Sequence, residues 1–230
     1  MNEDTRVAVC CYAGDHPLVQ GNLGLHIHHG RPVTILSPDD SRVEIIHPGV
    51  ENRFGGARAY TGIPSLERQR RHLEILLSYP EKYFFINDAD SACLTPELPA
   101  YLYAEPDLVW SMVATDADPD PYLDETLPHV AFQPPYFLSR KTIEAMLASA
   151  DKIVYDPRLL NIDHYMVQLA YAAGLPWRGF EGAVGGHFST VPEHLTVGIN
   201  AVKNDGYIFI HGAKTREAWA ALIAARGEVQ

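Results

Sequence analysis

The stretch YFFINDADSACL, residues 83–94, runs through aromatic and aliphatic side chains straight into Asp88-Ala89-Asp90. Two neighbouring carboxylates repel each other and retain protons unless a cation lies between them or their ligands, so a divalent metal is the simplest physical resolution. A second group of this kind closes the late run YIFIHGAK, where His211 is followed by glycine and then by Lys214. Glycine permits close backbone approach and the lysine supplies a cation, an arrangement suited to a phosphate. Oxygen ligands completed by one imidazole suit manganese, or magnesium, better than zinc. A cation held there would act as a Lewis acid on the negative charge that grows on a departing diphosphate. The alternative is plainer: both aspartates are solvated turn residues, one capping the next segment, and His211 is satisfied by a backbone carbonyl.

Positioning these groups requires strands that end where they stand. RVAVCCYAG, residues 6–14, reads as a β-branched strand closed by glycine, followed by a polar stretch to Gly30 with helical character and by the strand PVTILSPDD. VEIIHP forms a further short run before the Gly- and Arg-rich loop NRFGGARAYTGIP, whose proline suits a helix start. From Ser65 to Ser78, Leu66, Leu73, Leu76 and Leu77 share a stripe at helical spacing, with Arg68 and Arg71 pointing away from it. That helix leads into YFFIND. LVWSMVAT reads as a strand, RKTIEAMLASA and DHYMVQLAYAAG as helices, YIFIH as a late strand and TREAWAALIAAR as a terminal helix. Alternating strands and helices predict an α/β fold with a mixed, mostly parallel sheet covered by helices. Ligand crevices in such sheets lie outside the carboxyl ends of the strands. If the strand continues through Asp88 and Asp90, both project to the same side.

Composition narrows the function classes. With 230 residues, 47% of them hydrophobic, the chain can bury a sizeable core as one domain spanning 1–230. A net charge of −11 and a pI near 5.4 leave no basic face for nonspecific duplex DNA. Cys10, Cys11 and Cys93 form no C-x-x-C pair, which fits a reducing compartment. The polar start MNEDTR lacks the plan of a signal peptide and no apolar run reaches the roughly 18–20 residues of a membrane span, so a cytoplasmic location is expected.

The segment SLERQRRHLEILLSYPEKYFFINDADSACLTPEL, with its Arg-bearing helix, Tyr-Phe-Phe-Ile strand and D-x-D in that order, resembles nucleotide-sugar-dependent glycosyltransferases of the GT-A fold. The resemblance extends more weakly to VAVCCYAG, to PPYFLSRKTIEAML and to YIFIHGAK. It implies a Rossmann-like GT-A domain, with a nucleotide-sugar-binding half over 1–115 and an acceptor-side half over 116–230. It also implies a metal, often manganese, held against the diphosphate of a nucleotide-sugar, UDP-linked here, and transfer of the sugar to a hydroxyl-bearing acceptor. Asp88 would contact the ribose or share the metal, Asp90 would bind it directly, His211 would be the third protein ligand and Lys214 would face the diphosphate. Tyr12 would stack on or flank the base, Asp39 would read the base or ribose, and Arg68 would reach the diphosphate. Asp163, at the start of DHYMVQLAYAAG, would deprotonate the acceptor or line the sugar pocket, leaving inverting and retaining chemistry both open; by its position alone it is also a favoured helix N-cap.

Other readings compete. Tyr12 as simple packing, Asp39-Asp40 as an acidic turn and Arg68 as a solvated side chain are the plain alternatives. ATDADPDPYLDETL begins like a calcium loop with Asp116, Asp118 and Asp120, but Pro121 stands where glycine is needed and Leu127 where a bidentate glutamate belongs. His26, His28 and His29 have no carboxylate partner in register and read as surface residues. A haloacid-dehalogenase-like phosphatase also ends a strand in Asp-x-Asp, though near the start of its domain and before a Thr or Val where this chain has Cys93. A noncatalytic nucleotide- or sugar-binding module is the third reading.

Overall fold

Side chains alternate strictly between two cores along the central strands. The computed structural model describes residues 4–15, 18–21, 23, 30–59, 62–95, 97–115, 130–153, 162–188 and 191–227. In chain order it contains β1 (Thr5–Cys10), β2 (Val33–Ser37), β3 (Val50–Phe54), α1 (Gly62–Leu77), β4 (Tyr83–Asp88), β5 (Ser91–Cys93), α2 (Tyr101–Ala104), β6 (Val109–Thr115), β7 (Val130–Ser139) and α3 (Arg140–Ser149). It continues with α4 (Ile162–Ala172), β8 (Trp177–Gly179), β9 (Ala183–Phe188), α5 (Pro192–Lys203), β10 (Phe209–Ala213) and α6 (Arg216–Gly227).

A seven-stranded sheet runs in the order β3-β2-β1-β4-β7-β6-β8. The strands β3, β2, β1 and β4 are parallel to one another, β7 is antiparallel to both β4 and β6, and β8 is parallel to β6. The expected α/β architecture with a mixed, mostly parallel sheet flanked by helices is therefore present. Ala8, Leu36, Phe84 and Ile86 point to the face covered by Leu73 and Leu76 of α1, Ile143 and Met146 of α3 and Met166 and Leu169 of α4. Val7, Val9, Ile35 and Phe85 point to the other face, as the period of two requires.

That second face is closed by a smaller sheet, β5-β10-β9. Phe209 of β10 stacks on Phe180 at 4.2 Å between ring centroids and lies 6.1 Å from Phe85, joining the two sheets through aromatic contact. The far side of the small sheet is capped by α5 and α6, with Ile210 and Ala92 against Val202, Trp219 and Leu222.

Several elements differ from expectation; the late strand read over YIFIH, for one, runs over Phe209–Ala213. VEIIHP is not a strand: residues 42–47 have no regular structure, and β3 is the following VENRF, in which only Val50 is buried. Four of its five side chains meet water because β3 is an edge strand, which hides the strand pattern. β7 occupies the middle of the sheet although it contains Pro134 and Pro135; the register passes from Ser111↔Tyr136 to Met112↔Gln133, so the prolines fall in the irregularity between paired residues. The small sheet itself, and α5, are additions. Of the expected helix before Gly30, residues 18–21 and 23 are helical and the rest lie outside the described residues. The acidic loop with Asp116, Asp118 and Asp120, and His26, His28 and His29, also lie outside them.

Candidate metal centre

The strand does not run through both aspartates. β4 ends at Asp88, Ala89 and Asp90 form a turn, and β5 starts at Ser91. Ser91 fixes this turn: its Oγ accepts the Asp88 N–H at 2.9 Å and donates to the Asp88 carbonyl at 3.3 Å. The same-side projection expected of a continuous strand is thus replaced by a reversal that hands the chain from the large sheet to the small one.

The small sheet supplies the histidine. β5 and β10 are antiparallel with Ser91 opposite His211, and the N–H groups of Gly212 and Ala213 both donate to the Asp90 carbonyl, at 2.9 and 3.0 Å. Between His211 and Ala213 the register of β10 against β9 shifts, and Gly212 has φ +100°, a conformation that favours glycine because it has no Cβ.

One ligand atom from each of Asp88, Asp90 and His211 lies within 4.8 Å of the others, and His211 Nε2 is 3.8 Å from Asp90 Oδ1. Lys214 Nζ donates to Asp90 Oδ2, while its backbone N–H is held by the Phe188 carbonyl at 2.8 Å. Burial holds the His211 imidazole below the ordinary histidine value; Asp90 works against that shift and Lys214 with it. A neutral imidazole has the lone pair that a metal needs. Two carboxylates and a neutral imidazole fit a hard-to-borderline divalent cation such as manganese or magnesium.

A second layer surrounds these groups. Tyr12, just past β1, is half-buried, with the guanidinium carbons of Arg68 and Arg58 at 5.1 and 5.5 Å from its ring centroid. Arg68 is not turned to solvent as its position off the leucine stripe suggested: it is 4% exposed, and its Nη1 donates to the Ala59 carbonyl at 2.6 Å. The cause is Gly56, at φ +76°, where an added Cβ would meet the Arg68 Cα at 2.7 Å. The loop backbone therefore lies directly on α1 and covers Arg68. Arg71, by contrast, is exposed as expected, with a side chain 58% accessible.

Asp39 lies in an exposed turn after β2, its N–H on the Gly56 carbonyl at 2.9 Å and its carboxylate 3.7 Å from Arg42. The turn is tied to the Tyr12 loop by the Ala13 N–H donating to Ser41 Oγ at 3.1 Å. Asp163 belongs to the first turn of α4, one residue inside the helix rather than at its cap, and its side chain lies outside the described residues.

Two groups escaped the reading of the sequence. Asp15 accepts the Tyr12 N–H at 2.9 Å; burial pushes its carboxyl above the ordinary range, that hydrogen bond opposes the shift, and the nearby Asp90 carboxylate adds to it. Arg58 faces Tyr12, and its N–H donates to Asp40 Oδ1 at 2.7 Å. Both stand in loops at the carboxyl ends of strands, which was the available signal. A cavity of about 420 Å³ lined by Arg6, Arg31, His47 and Glu51 opens at the amino ends of β1 to β3, the opposite edge of the sheet. Arg6 there is paired with Glu81 at 2.8 Å and lies 3.7 Å over the Tyr79 ring, so its charge is committed to the fold.

Compared with protein-family models and with curated proteins, the chain matches none.

Proposed function

We propose that this chain is a metal-dependent glycosyltransferase that moves a sugar from a nucleotide-sugar, UDP-linked, to a hydroxyl-bearing acceptor. The observation that carries the reading is the convergence of Asp88, Asp90 and His211 within 4.8 Å at the carboxyl end of β4, with Lys214 against Asp90. Two carboxylates and an imidazole beside a lysine form a place where a cation and a diphosphate can share one set of side chains.

In this reading Asp88, Asp90 and His211 hold manganese or magnesium, which when bound supplies Lewis-acid stabilisation to the departing nucleoside diphosphate. Lys214 faces the phosphates, and Tyr12, with the buried Arg68 packed against its ring, flanks the base. The bond from the anomeric carbon to the diphosphate oxygen breaks and a bond from that carbon to the acceptor oxygen forms. The hydroxyl proton passes to a base, the role assigned to Asp163.

The test is a panel of nucleotide-sugars incubated with the protein and manganese, or with chelator. Metal-dependent release of nucleoside diphosphate from at least one donor is expected. No release from any donor in manganese overturns the reading, and release of inorganic phosphate from a phosphomonoester would favour a phosphatase in its place.

A further inference from the structure

The carboxylate that a metal would need is already taken. Lys214 Nζ is paired with Asp90 Oδ2, on the same carboxyl group whose other oxygen faces His211 at 3.8 Å. The pair is no accident of a loose surface chain. The Asp90 carbonyl is fixed by the Gly212 and Ala213 N–H groups, and the Lys214 N–H is fixed by the Phe188 carbonyl. Both backbones are therefore anchored to the same strand end. The Lys214 side chain alone is 39% exposed, so its four-carbon stem can swing while its Cα stays in place.

Resting on the metal-site reading above, we propose that Lys214 is an internal counter-cation: its ammonium occupies Asp90 until a divalent cation displaces it, and the displaced ammonium then pairs with the incoming diphosphate. The physical ground is charge balance. Asp88, Asp90 and Asp15 converge here, the last felt by Asp90 and Lys214 across the site. An ammonium offsets one of these negative charges. A divalent ion that reaches Asp90 must remove that ammonium, and two cations held on one carboxylate repel. The released ammonium is a compact point charge beside the new metal, and a polyanion is the partner that satisfies both. Lys214 thus weakens binding of the metal alone and strengthens binding of the metal with its diphosphate, which favours joint loading over a standing metal site.

Calorimetry with manganese alone, on the wild type and on Lys214→Met, tests this directly. The variant is expected to bind manganese about two- to fivefold more tightly, roughly what a partly exposed ion pair contributes, and to lose most of the gain in affinity that a nucleoside diphosphate gives to the metal. Lys214→Arg keeps the charge and is expected to stay near wild type in metal-only affinity. Equal or weaker manganese binding by Lys214→Met overturns the counter-cation role. Manganese binding that is absent from wild type and variant alike, or that survives Asp90→Asn unchanged, overturns the metal site itself.

Discussion

Ser91 and His211 face each other across the antiparallel β5–β10 pair, and that single register brings an imidazole from late in the chain to the D-x-D turn. A shift by one residue would send His211 to the opposite face, where Ile210 packs against the small helical layer.

From this geometry, Asp90→Asn and His211→Ala should each lower metal-dependent turnover by about 10²-fold or more. Asp90 stands in a turn and His211 on β10 outside the apolar clusters, so the melting temperature should move little. Initial rates at limiting manganese, set beside thermal melts of each variant, check this; near-normal turnover in either would remove that residue from the ligand set.

Metal and nucleoside diphosphate should bind cooperatively, because a shared ligand couples two affinities reciprocally. Calorimetric titration of the diphosphate with manganese and with chelator should give clearly different dissociation constants, and identical values would sever the link.

Gly56→Ala should destabilise the protein by about 1–3 kcal/mol, since the new Cβ meets the Arg68 backbone in a left-handed conformation. Gly14→Ala, where a Cβ meets nothing within 4 Å, is the matched control and should be close to neutral. Denaturant midpoints of the two variants give the answer.

Acid should expose His72. Burial, with Arg68 adding to it, lowers this imidazole to about 3 from 6.5. It is neutral in the folded protein and gains a proton on unfolding, so the contribution is complete above pH 6.5 and is lost as pH falls toward 3, at up to about 1.4 kcal/mol per pH unit. Urea unfolding at pH 7, 5 and 4 should show a steeper decline for wild type than for His72→Gln; parallel declines would remove His72 from the acid response.

Asp163→Asn should cut transfer by on the order of 10²-fold or more if the carboxylate is the base. In the first turn of α4 its charge also meets the helix dipole, so a loss of stability of about 0.3–1 kcal/mol is expected from that alone. Rates and a thermal melt on the one variant separate the two effects, and near-normal transfer would leave Asp163 with the helix alone.

The sequence pointed to candidate ligands where an apolar run meets polar residues. YFFIND stops at Asp88 as it reads, whereas the strand expected over YIFIH runs from Phe209 to Ala213 and passes through His211, so the three residues could be named without knowing how they meet. How they meet was hidden, because β5 has only three residues, β9 is broken by two glycines in AVGGHF, and their pairing with β10 is set by contacts between segments far apart in the chain. β7 was masked by its prolines and β3 by its exposed side chains. The burial of Arg68 was invisible from its own helix, whose apolar stripe lies elsewhere, and depended on a glycine in the preceding loop. Asp15 and Arg58 carry no local pattern beyond standing in segments that follow strands; their place beside Tyr12 is what marks them.

Asp88 closes a strand of the large sheet, whereas His211 belongs to the small one and Asp90 sits in the turn between them. An ion gripped by all three would rivet the two sheets at their seam. Amide hydrogens of β5, β9 and β10 would then exchange with solvent more slowly in manganese than in chelator, while those at the centre of β1 kept their rate.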